Sequence, residues 1–310
     1  MTITQLLYVL AVAEHKNFTK AAENCNVTQP TLSMQVQKLE EQLNIKIFDR
    51  TKKPIDLTSV GKKIVNQAKN IVAEAERIHD IVDQQKGFIG GDFKLGIIPT
   101  VMPTLLPMFL KTYVKRYPKV KLKIEELTID EIVNKLEDGN LDCAIAASPL
   151  QIDNIKERVL YYEPFVGYIS PNHRFKLKKQ IEISDLDISE ILILEDGHCL
   201  RQGVLNLCKT KKEQKLDNFQ LESGSIEMLV KLVNKGMGMT LLPYLNTLDL
   251  KSNEKDNLRF FVTPSPAREI SLLYNKNELK IQIINSIHLI ISGIIKGAIK
   301  YQDVKIISPK

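Results

Sequence analysis

The chain predicts an α/β protein preceded by a small helical head, and three observations carry that expectation. The first 57 residues hold three short helical stripes and a small hairpin. Residues 58–86 carry one unbroken apolar seam. From Phe93 onward, short apolar runs of strand length alternate with helical stretches. At 310 residues and 44% hydrophobic content, the chain is long enough for two or three sizeable cores.

A first helix is expected from Ile3 to Glu14, with Leu6, Leu7, Leu10 and Ala11 on one stripe. A second covers Phe18 to Asn24. After a turn at Cys25-Asn26-Val27, Thr28 can cap a third helix whose first turn tolerates Pro30. The third helix continues through Leu32, Val36, Leu39 and Leu43, and Pro54 lies in the hairpin behind it. Two consecutive helices joined by a short turn can lay the second in a major groove, with its N-terminal residues at base edges. Gln29, Pro30, Thr31 and Ser33, then Gln35 and Lys38, are the candidates for that role. Gln bonds adenine bidentately and Thr meets a thymine methyl group. Arg50, Lys52 and Lys53 suit phosphate contacts, which fix register without reading sequence. The alternative on pattern alone is a three-helix subdomain with ordinary solvated polar residues.

Thr58 opens a long helix whose apolar positions are Val60, Ile64, Ala68, Ile71, Ala75, Ile78 and Val82. This near-heptad spacing predicts pairing with the same helix of a second chain, against the alternative of packing on its own domain. Gly87 and Gly90-Gly91 end the seam as a hinge.

Strands are then expected at Phe93–Ile98, Val120–Glu125, Cys143–Ala147, Phe165–Ile169, Ile191–Leu194, Thr240–Leu242, Arg259–Val262 and Ile270–Tyr274. The alternation predicts mostly parallel sheets, and more than 200 residues predict two lobes. No internal repeat or low-complexity tract stands out.

A formal net charge of +6 permits an acidic partner such as DNA without requiring one, and the excess is not concentrated at one end. Four cysteines in a chain of this length do not make a secreted disulfide scaffold. The apolar stretch Leu6–Ala13 lacks the basic flank and cleavage site of a signal peptide. Ile281–Ile299 is interrupted by Gln282, Asn285, Ser286, His288 and Lys296, and is expected to be a buried helix with no membrane partner. These features predict a cytoplasmic protein, and no cofactor or metal is called for.

Cys199 and Cys208 are the most informative pair. If the stretch between them is helical, nine residues advance about 13.5 Å and the sulfurs face opposite sides. A disulfide needs Cα atoms within roughly 7 Å, so joining these thiols requires the segment to be remodelled. Two buried structural cysteines remain an alternative, as does a zinc site with His198, which lacks an evident fourth ligand. Cys143, inside an apolar strand, and Cys25, in the helix-turn-helix turn, are expected to be packing residues.

Phe18, Ala21-Ala22, Val27, Gln29-Pro30, Leu32-Ser33, Val36, Leu39-Glu40, Leu43, Phe48, Arg50, Thr58 and Gly61 resemble the winged helix-turn-helix of LysR-type transcriptional regulators at its usual spacing. Asn44 stands where that family usually has Gly, and Asn also tolerates a left-handed backbone. The resemblance covers the whole chain. It implies an N-terminal winged helix-turn-helix over 1–57, a linker and dimerisation helix over 58–87, and a two-lobed effector domain like the periplasmic binding proteins. Lobe one would hold 88–162 and 268–310, and lobe two 163–267.

Within that family, Leu194-Glu195-Asp196-Gly197-His198-Cys199-Leu200-Arg201, with Cys208 beyond, is similar to the peroxide-sensing branch. So are Ile98-Pro99-Thr100-Val101, Leu141-Asp142-Cys143 and Thr240-Leu241-Leu242-Pro243. This implies Cys199 as peroxidatic sensor thiol and Cys208 as resolving thiol. Peroxide binding would fall to Thr100, Thr128, His198 and Arg268. The branch's second pocket threonine would fall at 129, but this chain has Ile129, and Thr128 starts a Thr-x-x-Glu capping box with Glu131. Gly203 replaces an expected Gln, with Gln202 one place earlier. The implied partners are promoter DNA, hydrogen peroxide, a second subunit through the linker helix and further subunits in a homotetramer, RNA polymerase, on which the chain would act as an activator, and a thiol reductant such as glutaredoxin or thioredoxin.

Overall fold

The computed structural model describes residues 1–85, 89–195, 199–208, 225–299 and 303–309; the side chains of 73, 76, 77, 79–85 and 199 are outside that description. The chain divides into two compact units, Met1–Phe88 and Ile89–Lys310.

The first unit starts with α1 (Ile3–His15), α2 (Phe18–Asn24) and α3 (Gln29–Leu43). Thr2 and Gln5 cap α1 reciprocally, and the Asn17 side chain accepts from the amides of Thr19 and Lys20 to start α2. Thr28 takes the N-cap position of α3 without a side-chain cap bond, and Pro30 sits in its first turn. Asn44 ends α3 in the left-handed region at φ 52°. A two-stranded antiparallel wing follows, β1 (Phe48–Asp49) with β2 (Asp56–Leu57). The long helix α4 (Ser59–Gln85) comes next. The Thr58 hydroxyl accepts from the Gly61 amide at 2.9 Å and donates to the Lys46 carbonyl at 2.7 Å. A Cβ on Gly61 would come within 2.0 Å of the Ile47 carbonyl oxygen, so only glycine lets α4 approach the wing this closely. Val65, Ala68 and Val72 of α4 join Leu6, Val9, Val12, Leu32, Val36 and Leu39 in one core. The seam residues Val60 and Ile78 remain exposed, and Ile64, Ile71 and Ala75 are half-buried.

The second unit is built on β3 (Gly91–Ile97), α5 (Met102–Arg116), β4 (Val120–Glu126), α6 (Ile129–Glu137), β5 (Cys143–Ser148) and β6 (Ile155–Ile169). Next come β7 (Gln180–Ile181), α7 (Cys199–Leu207), α8 (Ile226–Asn234), β8 (Met239–Pro243), α9 (Tyr244–Leu248), α10 (Ser252–Lys255) and β9 (Leu258–Phe261). The remainder is β10 (Ser265–Asn275), α11 (Ile281–Ala298) and β11 (Val304–Ile306). The sheet runs β4-β3-β5-β10-β6-β9-β7, with β11 on β10 and β8 on β6.

The expectation of mostly parallel strands needs correction. β3, β4 and β5 are parallel, but β10 is antiparallel to both β5 and β6, and β6 is antiparallel to β8 and β9. The reason lies in β6, which is 15 residues long although its sequence reads as a strand only over Phe165–Ile169. Its first half, Lys156-Glu157-Arg158, is too polar to read as a buried strand. Ile191–Leu194 is not a strand: only Ile191 makes a bridge, to Met239, directly after a 3-10 turn at Ile188–Glu190.

Two cores lie along this sheet. One gathers Phe93, Leu95, Ile97, Phe109, Leu160, Tyr161, Leu245, Ile270, Leu272 and the buried stripe of α11. The other gathers Phe165, Tyr168, Ile169, Leu200, Val204, Leu207, Cys208, Leu229, Leu242 and Phe261. α11 is long and apolar enough to cross a membrane by composition, yet Ile283, Ile284, Ile287, Ile290, Ile291 and Ile295 are buried in the first core.

Candidate functional site

Glu40 organises the head. It falls within the apolar stripe of α3, and its side chain is wholly buried. Its carboxylate accepts from the Ile47 amide at 2.7 Å, the Phe48 amide at 3.2 Å and the Arg50 guanidinium at 3.4 Å. Arg50 also donates to Ser33 Oγ at 3.5 Å and lies 4.8 Å from the Phe18 ring centroid. Arg50 therefore locks the wing onto α3, a second role beside the phosphate contact expected of it. Gln29, Pro30, Thr31 and Lys38 are exposed on α3, while Ser33 is half-buried. Gln35 is half-buried too and accepts from Gln5 at 3.2 Å, which ties α3 to α1. Lys52 and Lys53 are exposed on the wing, with Lys52 3.6 Å from Asp56. Met34, which sequence reasoning passed over, is 59% exposed on α3 and offers an apolar contact of the kind that meets a thymine methyl group. Its signal was an apolar residue outside the Leu32–Val36–Leu39 stripe.

A second constellation forms at the carboxyl ends of the parallel strands, where open α/β sheets bind ligands. Ile97 of β3 pairs with Glu126 of β4 and with Ile145 of β5, so Thr100 and Thr128 follow the ends of β3 and β4, and Ser148 is the last residue of β5. β10 comes back antiparallel and sets Glu269 opposite Ser148, with the Ser148 hydroxyl 2.7 Å from the Glu269 carboxylate. Arg268, adjacent to Glu269, is buried. Its Nη1 donates to Thr100 Oγ1 at 2.8 Å and its Nη2 to the Thr100 carbonyl at 3.2 Å. With its oxygen accepting from a cation, the Thr100 hydroxyl keeps its own proton for another acceptor.

Sequence reasoning missed the residue that holds Arg268. Glu163 is buried, lies directly opposite Arg268 in the β6–β10 register, and accepts from Arg268 Nε at 2.9 Å and Nη2 at 2.8 Å. Its other oxygen accepts from the Leu245 amide at 2.9 Å. The available signal was a single carboxylate inside the apolar run Tyr161-Tyr162-Glu163-Pro164-Phe165-Val166. Two residues earlier on β6, the Tyr161 hydroxyl is buried and has no hydrogen-bond partner among the described residues. Burial and the nearby Glu163 charge push it well above the usual tyrosine range.

Thr128 takes the N-cap of α6, with its amide 2.8 Å and its hydroxyl 2.9 Å from the Glu131 carboxylate. That is the capping box expected from Thr-x-x-Glu, and it engages the hydroxyl locally.

The cysteine pair brackets α7. Cys199 is its first residue and Cys208 follows its last. At about 1.5 Å per residue the pair is separated by roughly 13 Å along the axis. His198 and the Cys199 side chain lie outside the described residues. Cys208 is a buried free thiol, pushed up to about 11 by burial and then by the charge of Asp187. Leu200, Val204 and Leu207 bury the same helix face. Arg201 donates to the Leu194 carbonyl at 2.9 Å and anchors the start of α7. Gln202 bonds Asn206 at 2.9 Å along the outer face, and Asn206 reaches the Ser308 carbonyl at 3.3 Å. Among the described residues, a Cβ on Gly203 would meet only Phe165, at an ordinary 3.9 Å. Cys143 is fully buried on β5 and Cys25 is half-buried in the turn after α2. Among the described residues no three His, Cys, Asp or Glu side chains cluster to hold a metal ion; the zinc alternative falls on His198 and Cys199.

Comparison with known proteins agrees across both units. Residues 3–62 match the family described as bacterial regulatory helix-turn-helix protein, lysR family, and residues 86–283 match the LysR substrate binding domain. The chain is 34% identical over 276 residues to the hydrogen peroxide-inducible genes activator of Pectobacterium carotovorum, covering 88% of this chain and 90% of that one. It is 33% identical to the DNA-binding transcriptional dual regulator OxyR of Escherichia coli, over 88% of this chain and 89% of that one. Among solved structures, a full-length OxyR from Pseudomonas aeruginosa with a cysteine-to-aspartate substitution superposes with a TM-score of 0.76 at 31% identity, covering 94% of this chain and 98% of that one.

Proposed function

We propose that this chain, which belongs to the LysR family of DNA-binding transcriptional regulators, senses hydrogen peroxide through Cys199 and Cys208. The observation that carries the reading is α7, which starts at one of these cysteines and stops just before the other. Its inner face is packed into the second core, so a Cys199–Cys208 bond requires the helix to open. The names of the relatives, peroxide-inducible activators, support the same reading.

The chemistry needs few groups. The Cys199 thiolate attacks one peroxide oxygen; an S–O bond forms, the O–O bond breaks, and the leaving oxygen takes up a proton and departs as water. Sulfur is oxidised by two electrons and peroxide is reduced by two. The Cys208 thiol then attacks the sulfenic sulfur, expels a second water and closes the disulfide. The first amides of α7 favour the thiolate. The Thr100 hydroxyl, held as a donor by Arg268, suits a peroxide oxygen, with His198 and Thr128 the further candidates for the pocket. Closing a ten-residue loop restrains the opened chain by about 2.7 kcal/mol in the chain-entropy description, a size that matters against the energy of local opening. A thiol reductant such as glutaredoxin or thioredoxin resets the pair.

In this account α4 pairs two subunits through exposed Val60 and Ile78 and half-buried Ile64, Ile71 and Ala75, two dimers form a tetramer, and α3 with the wing reads promoter DNA. The oxidised tetramer spaces its heads differently and engages RNA polymerase as an activator. The test is Cys199→Ser: peroxide should no longer change the DNA footprint or transcription, while DNA binding persists. A variant that still responds to peroxide removes the sensor assignment and favours a metabolite bound between the two cores.

A further inference from the structure

Glu163 joins three passages of the chain between the two cores: β6, on which it sits, the β8–α9 turn through the Leu245 amide, and β10 through Arg268. Arg268 in turn reaches Thr100 with both terminal nitrogens. A guanidinium can point several ways, but here its Nε and Nη2 are fixed on one carboxylate oxygen, which leaves Nη1 aimed at the threonine hydroxyl. We propose that Glu163 is a positioning residue for the peroxide step: it holds Arg268 so that the Thr100 hydroxyl stays oriented as a donor to the peroxide oxygen. This rests on the peroxide-sensing reading above.

Glu163 bonds Arg268 and the Leu245 amide. It acts through Arg268, so losing it should loosen the donor without removing it. The step most exposed to that loss is proton delivery as the O–O bond breaks. A reaction of Cys199 that uses no such donor should be spared. Alkylation by iodoacetamide is one, since it displaces iodide directly on carbon.

The experiment compares the full-length reduced protein with its Glu163→Gln variant in two reactions: Cys199 oxidation by hydrogen peroxide and Cys199 alkylation by iodoacetamide, both followed by mass spectrometry. The peroxide rate should fall about ten- to a hundredfold in Glu163→Gln, the range expected when a reacting group is misplaced, with the alkylation rate unchanged. If both rates move together, or neither moves, Glu163 is only a structural tie and the proposal is overturned. Should Glu163→Gln fail to fold, Glu163→Asp keeps the charge but withdraws it by one methylene, and the same selective loss is required of it. A wild-type protein that peroxide does not oxidise at Cys199 defeats the sensor reading itself, an outcome distinct from wild-type oxidation with an unaffected variant.

Discussion

Arg268 and Glu163 face each other across the antiparallel pair β10–β6, 2.8 Å apart at their closest and both buried, where the chain passes between two hydrophobic cores. The pair was formed from residues 105 positions apart, each bonded to a further element: Arg268 to Thr100, Glu163 to Leu245. Removing one partner leaves an uncompensated buried charge. Arg268→Leu is expected to destabilise the chain by about 3–5 kcal/mol, and the double variant Glu163→Leu/Arg268→Leu by less than Arg268→Leu alone. Urea unfolding of the three proteins checks this; a double variant less stable than Arg268→Leu would contradict it.

The Tyr161 hydroxyl makes no hydrogen bond to any described residue although it is buried beside this pair. An unsatisfied donor costs stability, so Tyr161→Phe is expected to be neutral or to stabilise by up to about 1 kcal/mol. A clear loss in thermal unfolding would mean that the hydroxyl has a partner.

Gly203 lies in the middle of α7 with ordinary space around it. Gly203→Ala is expected to stabilise the reduced helix by about 1 kcal/mol. The reduced form then gains, and the Cys199–Cys208 potential rises by about 20 mV. Equilibration with glutathione reads the shift; an unchanged or lower potential would separate disulfide formation from helix opening.

Burial holds the Cys208 thiol at about 11 against an ordinary value near 9. The folded form therefore prefers the protonated thiol. That contribution to α7 is complete below about pH 9 and disappears as pH rises through about 11. Alkylation of Cys208 in a Cys199→Ser background should stay slow at neutral pH and climb toward pH 11. A midpoint near 9 would place Cys208 in water.

On the DNA-reading head, Lys53→Ala should weaken binding to all sequences and reduce the salt slope by about 0.9. Gln29→Ala should instead relax specificity with the slope intact. Arg50→Ala carries a third signature: it leaves buried Glu40 without its guanidinium, so the thermal stability of the head falls as well as affinity. Fluorescence anisotropy across a salt series, with a melt for each variant, distinguishes the three.

How much of this was legible in the sequence depended on range. The helices of the head, the left-handed Asn44, the Thr58 cap and the Thr128 capping box follow from residues a few positions apart, and the structure has each of them. What the sequence hid was long-range. β6 reads as a strand only in its apolar second half, because its first half becomes a strand by pairing with β10. The roles of Glu40, Glu163 and Arg50 needed partners brought together by folding, and a carboxylate in an apolar stripe was the one hint. Thr100 and Arg268 were singled out by resemblance, yet their bond to each other and the carboxylate behind them were not foreseen.

Peptide mass spectrometry on the reduced protein, before and after one equivalent of hydrogen peroxide, tests the central claim most directly. The account predicts a loss of two hydrogens and a single cross-linked species joining the Cys199 and Cys208 peptides, reversed by a dithiol. Oxidation that leaves both cysteines free to alkylate, or that links either of them to Cys25 or Cys143 instead, would contradict it.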